Sequence, residues 1–198
     1  MYSYFFKGVK FVSNVEIRRP RVEDIEELHQ FFDIVIKDTF ANERLSELAD
    51  DIENEIESKK KYLKYDFESY GKERYFLIAF DKMGNKIIGT IEYGPASELI
   101  DKLTEGAMKD LHEIGTVFVH PDYQGRGIGR LLLNVMFLTL LNREIKEFCL
   151  DSGYSNAQKI WKKKFGEPDY FLQNYWSEGS HHMIWRRSIN DMSIVFSR

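Results

Sequence analysis

The chain has 198 residues, and 28 Lys plus Arg against 32 Asp plus Glu leave a formal net charge of −4 at pH 7. With 43% apolar residues it reads as one ordinary domain, 1–198, able to bury its core without disulfides or metals, since a folded chain of this size hides about 70% of its unfolded surface. Mild acidity supplies no chain-wide positive field that would draw it to nucleic acid or an anionic membrane, and the single cysteine, Cys149, excludes an internal disulfide and a CxxC motif. A reducing cytoplasm is the compartment this composition suits.

In chain order, residues 1–13 are aromatic (Tyr2, Tyr4, Phe5, Phe6, Phe11) but interrupted by Lys7 and Lys10, with no small-residue cleavage site, so they read as an N-terminal appendage rather than a signal peptide. Glu16 to Arg19 predicts a short strand ended by Pro20. Val22, Ile25, Leu28, Phe32, Val35 and Ile36 recur at steps of three and four, one face of a helix, and Leu45, Leu48, Ile52, Ile56 and Leu63 predict a second. The period then changes. Arg74 to Phe80 and Lys86 to Tyr93 are β-branched and aromatic runs joined by Asp81-Lys82-Met83-Gly84-Asn85, a hairpin signal. Pro95 breaks the second run, and Ser97 to Lys109 predict a short helix in a surface insertion. Leu111 to Val119 is the next strand, followed by a glycine loop and a helix apolar nearly all round from Leu131 to Leu141, which should be buried against a sheet. No apolar run reaches the roughly 18 residues of a membrane helix. Phe148 to Leu150, Ser155 to Phe165, Tyr170 to Trp176 and His182 to Arg187 complete the order β, α, α, β, β, β, α, β, α, β, β. Such an order mixes hairpins with one strand, helix, strand crossover, which requires a parallel pair inside a mixed, mostly antiparallel α/β sheet flanked by helices.

The segment Val117-Phe118-Val119-His120-Pro121-Asp122-Tyr123-Gln124-Gly125-Arg126-Gly127-Ile128-Gly129-Arg130 carries the chemistry. Three glycines on alternate positions let backbone N–H groups approach a ligand at a helix N-terminus, and Arg126 and Arg130 add positive charge, so a phosphate or pyrophosphate is the natural occupant. No Lys-Ser or Lys-Thr follows the glycines, which excludes a Walker A loop. A dinucleotide fingerprint fits poorly, because five residues separate strand from glycines, although Asp151 on the next strand could imitate a ribose-binding acid. A glycine-rich turn without a ligand is the bland alternative.

Gln124-Gly125-Arg126-Gly127-Ile128-Gly129, after an apolar strand and a His-Pro-Asp-Tyr turn, resembles the Q/R-x-x-G-x-G/A motif of the GCN5-related N-acetyltransferases (GNAT), and the family's element order matches the one above. The resemblance implies acetyl-CoA as cosubstrate, with pyrophosphate on the backbone amides of Gln124 to Arg130 and pantetheine pairing along Val117, Phe118 and Val119, where the fourth and fifth strands, a parallel pair, splay. It implies a thioester-polarising N–H at Phe118 or Val119, Asn156 on the pantetheine amide, and help from Lys162, Lys163 and Lys164 in holding phosphates, although such a basic run is more often simply solvated.

Acyl transfer to an amine requires that amine to be neutral, so a carboxylate near the slot is wanted as base. Glu113, sharing strand parity with Val117 and Val119 and standing where lysine acetyltransferases of the family carry their strand glutamate, is the first choice and Glu92 the second. The family's usual acid, a helix Tyr, is missing: Trp161 or Lys162 stands at that place, leaving Tyr154, Tyr175 or solvent. Adjacent His181 and His182 should point to opposite faces and chelate no metal, and Cys149 should be a buried, inert thiol. Tyr170, Phe171, Tyr175, Trp176 and Trp185 read mostly as core, with one or two lining the acceptor cleft. The expected activity is N-acetylation of a small-molecule or peptide amine without a metal, with a degenerate acyl-CoA sensor and, more remotely, an NAD-binding oxidoreductase as alternatives. A homodimer is one assembly the sequence leaves open.

Overall fold

A computed structural model describes residues 14–196; the appendage expected at 1–13 lies outside them. Seven strands form one sheet: β1 (Val15–Arg18), β2 (Tyr75–Asp81), β3 (Lys86–Pro95), β4 (His112–Val119), β5 (Glu147–Ser152), β6 (Tyr170–Ser177) and β7 (Ser180–Ser188), in the order β1-β2-β3-β4-β5-β7-β6. Every neighbouring pair is antiparallel except β4 with β5. The crossover between those two is the helix α4 (Ile128–Asn142), as a parallel connection requires.

Alternation along the strands sends side chains to two cores. On one face Leu77, Ile91, Ile114, Phe148, Leu150 and Trp185 meet Leu132, Met136, Phe137 and Leu140 of α4 and Trp161 and Phe165 of α5 (Ser155–Phe165). On the other, Phe76, Ile78 and Ile87 meet Phe31, Phe32, Val35 and Phe40 of α1 (Ile25–Asn42) and Ile56 and Leu63 of α2 (Ala49–Glu68). Only two apolar side chains of α2 are fully buried, worth about 1.5–3 kcal/mol each, so polar ties matter to its docking. Its buried Asp66 accepts hydrogen bonds from Arg19 Nη2 (2.6 Å) and the Phe76 N–H (3.0 Å).

Several sequence expectations change here. Val22 lies in a 3-10 turn before α1 and is 71% exposed, while Leu45 and Leu48 precede α2 in the connection from α1. The insertion helix α3 (Glu98–Leu103) is not merely superficial: Ile100 and Met108 are buried against Cys149 and Ile184, covering the far half of the sheet. α4 is not sealed all round, since Leu138 and Leu141 stay exposed, although the C-terminal segment covers part of it through Asn134 Nδ2 donating to the Val195 carbonyl (2.7 Å). Trp185 is core, but Phe171, Tyr175 and Trp176 are exposed because β6 is an edge strand. Among the described residues no helix is long and apolar enough to cross a membrane.

Candidate active site

β4 and β5 pair only at His112 with Phe148 and Glu113 with Cys149. β5 then stays with β7, through Leu150, Asp151 and Ser152, while β4 stays with β3, so the two diverge into a V. From Ile114 onward β4 is therefore hydrogen-bonded on one side only. The His120 N–H donates to the Ile88 carbonyl (3.0 Å), and alternation turns the Phe118 N–H toward β3 as well, leaving the Val119 N–H on the open side. Of the two positions expected for a carbonyl-polarising donor, Val119 has the free one.

A bulge at Thr116 (φ 49°) shifts the register of β4 against β3 between Gly115 and Phe118. The parity argument for Glu113 fails on it. Ile114, Val117 and Val119 all face α4 and α5, whereas Glu113 lies on the opposite face with Phe118. A bulge inserts one residue, so every side chain beyond it changes face.

At the mouth of the V the chain makes a 3-10 turn at Pro121–Tyr123 and enters α4 through Gly125 (φ 71°) and Gly127 (φ 85°), left-handed conformations that a side chain resists. Gly127 is the N-cap of α4; no side chain caps its first turn and no acidic residue lies in it, so its N–H groups are available to an anion. Arg126 and Lys86 both lie over the Tyr123 ring (4.8 and 4.7 Å), whose hydroxyl donates to Asp81 (2.9 Å). Lys164 lies over the Phe137 and Phe165 rings (5.4 and 5.8 Å), where burial and the charge of Arg130 push its ammonium below its usual value, while Lys162 is paired with Glu167 (2.9 Å). This mouth is positive, and the fit to a pyrophosphate rests on its uncapped amides and these cations.

On the α1 and α2 side of the sheet the site holds several carboxylates, with Lys59 of α2 near them and paired with Glu55 (3.0 Å). Gly115 separates two carboxylates: a Cβ there would stand 2.7 Å from Oε1 of Glu92 and 3.7 Å from Oε1 of Glu113. Glu92 is buried and paired with Arg74 (2.6 Å). Glu113, partly exposed, accepts from the Ser97 N–H (2.7 Å). Burial, with the charges of Asp151 and Glu92 beside it, pushes its carboxyl up to about 8. Asp151, two residues beyond the register partner of Glu113, is held by His182 (3.0 Å).

Asn156 is exposed at the start of α5, where Glu43, just past α1, accepts from its backbone N–H (3.0 Å) and from the Ser155 hydroxyl (2.7 Å). Trp161 is buried and stacked on Phe165, so it faces the core rather than the slot. Tyr154 is partly buried edge-on to Phe40, and burial together with Glu55, Glu43, Asp151 and Asp51 pushes its phenol up. Cys149 is fully buried and its thiol is pushed up by burial and by Glu113, in keeping with an inert role. His181 accepts from the Asn174 N–H (3.0 Å), while its neighbour serves Asp151; the two rings have different partners, as expected on a strand. Sequence reasoning missed His182 and Glu43. Strand alternation places Asp151 beside Glu113 once β4 and β5 are paired, but nothing local announces Glu43, which acts across 112 residues.

A splayed parallel pair beside an uncapped glycine loop is the arrangement expected of an acetyltransferase fold. The sequence profile of the acetyltransferase (GNAT) family matches residues 41–167, and the chain belongs to that family. Among curated proteins no sequence match is found. Solved structures share the fold: a GNAT-family structure from Desulfovibrio desulfuricans (14% identity, TM-score 0.65, covering 88% of this chain and 99% of that one) and the PaiA N-acetyltransferase of Thermoplasma acidophilum in complex with coenzyme A (21%, 0.61, 88% and 98%). The ribosomal-protein-alanine N-acetyltransferase of Brucella melitensis is similar to the same degree (18%, 0.61, 87% and 99%).

Proposed function

We propose that the chain is a single-domain, acetyl-CoA-dependent N-acetyltransferase that passes acetyl directly from the thioester to a primary amine. The observation that carries this is the one-sided β4, ending at the uncapped N-terminus of α4, which offers strand hydrogen bonds to an extended arm and amides to a pyrophosphate in one continuous line. Acetyl-CoA supplies the activated thioester.

The backbone of Gln124 to Arg130, with Gly125, Gly127, Ile128 and Gly129 in the loop and first turn, binds the pyrophosphate. Arg126 and Arg130 neutralise it, and Val117 to Val119 and Asn156 hold the pantetheine arm. The Val119 N–H polarises the thioester carbonyl. Glu113, with its carboxyl near 8, takes the proton that the attacking amine must lose. Tyr154, kept protonated by its surroundings, supplies the proton that the departing sulfur accepts as the C–S bond breaks and the amide C–N bond forms.

A degenerate acyl-CoA sensor would bind without turnover, and the lack of a tyrosine at the usual acid position, where Trp161 or Lys162 stands, is the observation that favours it. Thermal shifts with acetyl-CoA, CoA and NAD, followed by thiol release with primary amines, test the reading. At 100 times its Kd a CoA compound should stabilise the fold by about 2.7 kcal/mol, with no effect of NAD. Stabilisation by NAD alone, or by none of the three, overturns it; CoA binding without thiol release leaves the sensor.

A further inference from the structure

We propose that Asp151 is a specificity-determining residue, a fixed anion that binds a second ammonium group of the acceptor, so that the acceptor is a short linear diamine or polyamine. The inference deepens the acetyltransferase reading and rests on it.

Asp151 is held by a group that orients it without cancelling its charge. Trp176 Nε1 can only donate, and it lies 3.2 Å from Nδ1 of His182, so that nitrogen accepts and the proton sits on Nε2. His182 is therefore a neutral imidazole, buried to 2% exposure, whose Nε2–H donates to Oδ2 of Asp151 at 3.0 Å. Trp176 in turn lies against Gly153, where a Cβ would stand 2.6 Å from Nε1. The chain builds a rigid support for one carboxylate.

The three buried carboxylates of the described residues have cations of their own, Asp24 with Arg18, Asp66 with Arg19 and Glu92 with Arg74, each at 2.6 Å, whereas the partly exposed Glu113 and Asp151 have none. Among the described residues no Lys or Arg lies within 4.0 Å of Asp151, whose side chain keeps 21% exposure. Nearby, Glu43 and Asp51 add negative charge around Tyr154, while Glu55 is paired with Lys59 (3.0 Å). The rings of Tyr175 and Trp176 pack around His182, with centroids 5.7 and 5.6 Å from it, and put aromatic surface of the kind that attracts an ammonium near Asp151. A rigid anion lacking a counter-ion, next to the slot, calls for a cation on the ligand.

Size and shape follow from the same residues. Asp151 lies two strand residues beyond Cys149, the register partner of Glu113, about 7 Å along β5. An amine losing its proton to Glu113 and an ammonium resting on Asp151 are then joined by a short aliphatic chain. The bonds from Ser155 and Asn156 to Glu43, and the contact of Phe40 with Tyr154, tie the end of α1 to the start of α5 next to Asp151.

Steady-state thiol release by the full chain at saturating acetyl-CoA tests this with the α,ω-diaminoalkanes from propane to octane, with butylamine and hexylamine, and with a short peptide bearing a free N-terminal alanine. Diamines should exceed monoamines of equal length in kcat/KM, with an optimum at intermediate length. Asp151→Asn should raise KM for the best diamine about 10- to 100-fold while leaving KM for the monoamines nearly unchanged; because the charge of Asp151 also raises the Glu113 carboxyl, the comparison is made above pH 8, where any change in kcat should be the same for diamines and monoamines. His182→Gln should reproduce that KM effect in weaker form. Equal kcat/KM for mono- and diamines, a preference for the peptide, or an Asp151→Asn rise in KM shared by all amines overturns the proposal, and the selectivity of the unsubstituted protein decides without any variant. Transfer to amines without diamine preference sinks this inference alone; no thiol release with any amine sinks the acetyltransferase reading with it.

Discussion

Arg74 Nη1 lies 2.6 Å from Oε2 of Glu92 with both side chains buried, and the guanidinium also stacks 3.8 Å from the centroid of the Tyr62 ring. This pair ties β3 to the start of β2 and to α2 beneath the carboxylate-bearing half of the site. Arg74→Leu strands the carboxylate and should destabilise the fold by about 3–5 kcal/mol, whereas Arg74→Leu combined with Glu92→Leu should recover most of that loss. Urea unfolding of the single and double variants checks it; equal losses would mean that the pair is not coupled.

Gly127 has φ 85° with open space around its Cβ position, the nearest atom being Arg130 Nη2 at 3.9 Å. The penalty of Gly127→Ala is therefore one of backbone conformation, about 1–2 kcal/mol in unfolding free energy. Turning the loop also misaligns the first amides of α4, so the Kd for CoA in calorimetric titration should rise. Unchanged affinity in a folded variant would remove the loop from the binding site.

The Glu113 carboxyl, raised to about 8 from its ordinary 4.5, makes two pH predictions. Because the folded protein keeps this proton longer than the unfolded chain, the stabilisation is full below about pH 4.5 and is lost as pH rises through about 8. Glu113→Gln should thus gain stability relative to the parent above pH 8. In activity, kcat/KM should climb to a plateau near pH 8 as the carboxylate forms, and Glu113→Gln should lack that limb and turn over at least about 100-fold more slowly. Full turnover with an unaltered profile would exclude Glu113 as the base.

Glu43 binds the start of α5 through the Ser155 hydroxyl and the Asn156 N–H. Glu43→Ala should cost about 1 kcal/mol, comparable to the loss of a helix cap, and should speed amide exchange at Asn156 while leaving that of α4 untouched. Exchange rates by NMR read this out directly.

Much of the fold is legible in local chemistry. The hairpin at residues 81–86, the breaks at Pro20 and Pro95 and the glycine loop each declare themselves through residues with restricted or unusual backbone preferences, and the structure has strands and helices where those signals put them. Misreadings occur where tertiary context overrides pattern. Val22 and Leu48 continue an apolar period but lie outside their helices, and Phe171, Tyr175 and Trp176 look like core yet stay exposed because β6 is an edge strand.

The sequence by itself determined the glycine loop, its strand and helix context, and the pairing of a positive mouth with a carboxylate-bearing strand, because these depend on neighbours a few residues apart. Which face Glu113 occupies, which N–H of β4 stays free, and that His182, itself oriented by Trp176, holds Asp151 depend on the assembled fold. A one-residue bulge at Thr116 inverts the side-chain alternation of β4, and a carboxylate's partners come from strands and helices that only the assembled sheet brings within hydrogen-bond distance.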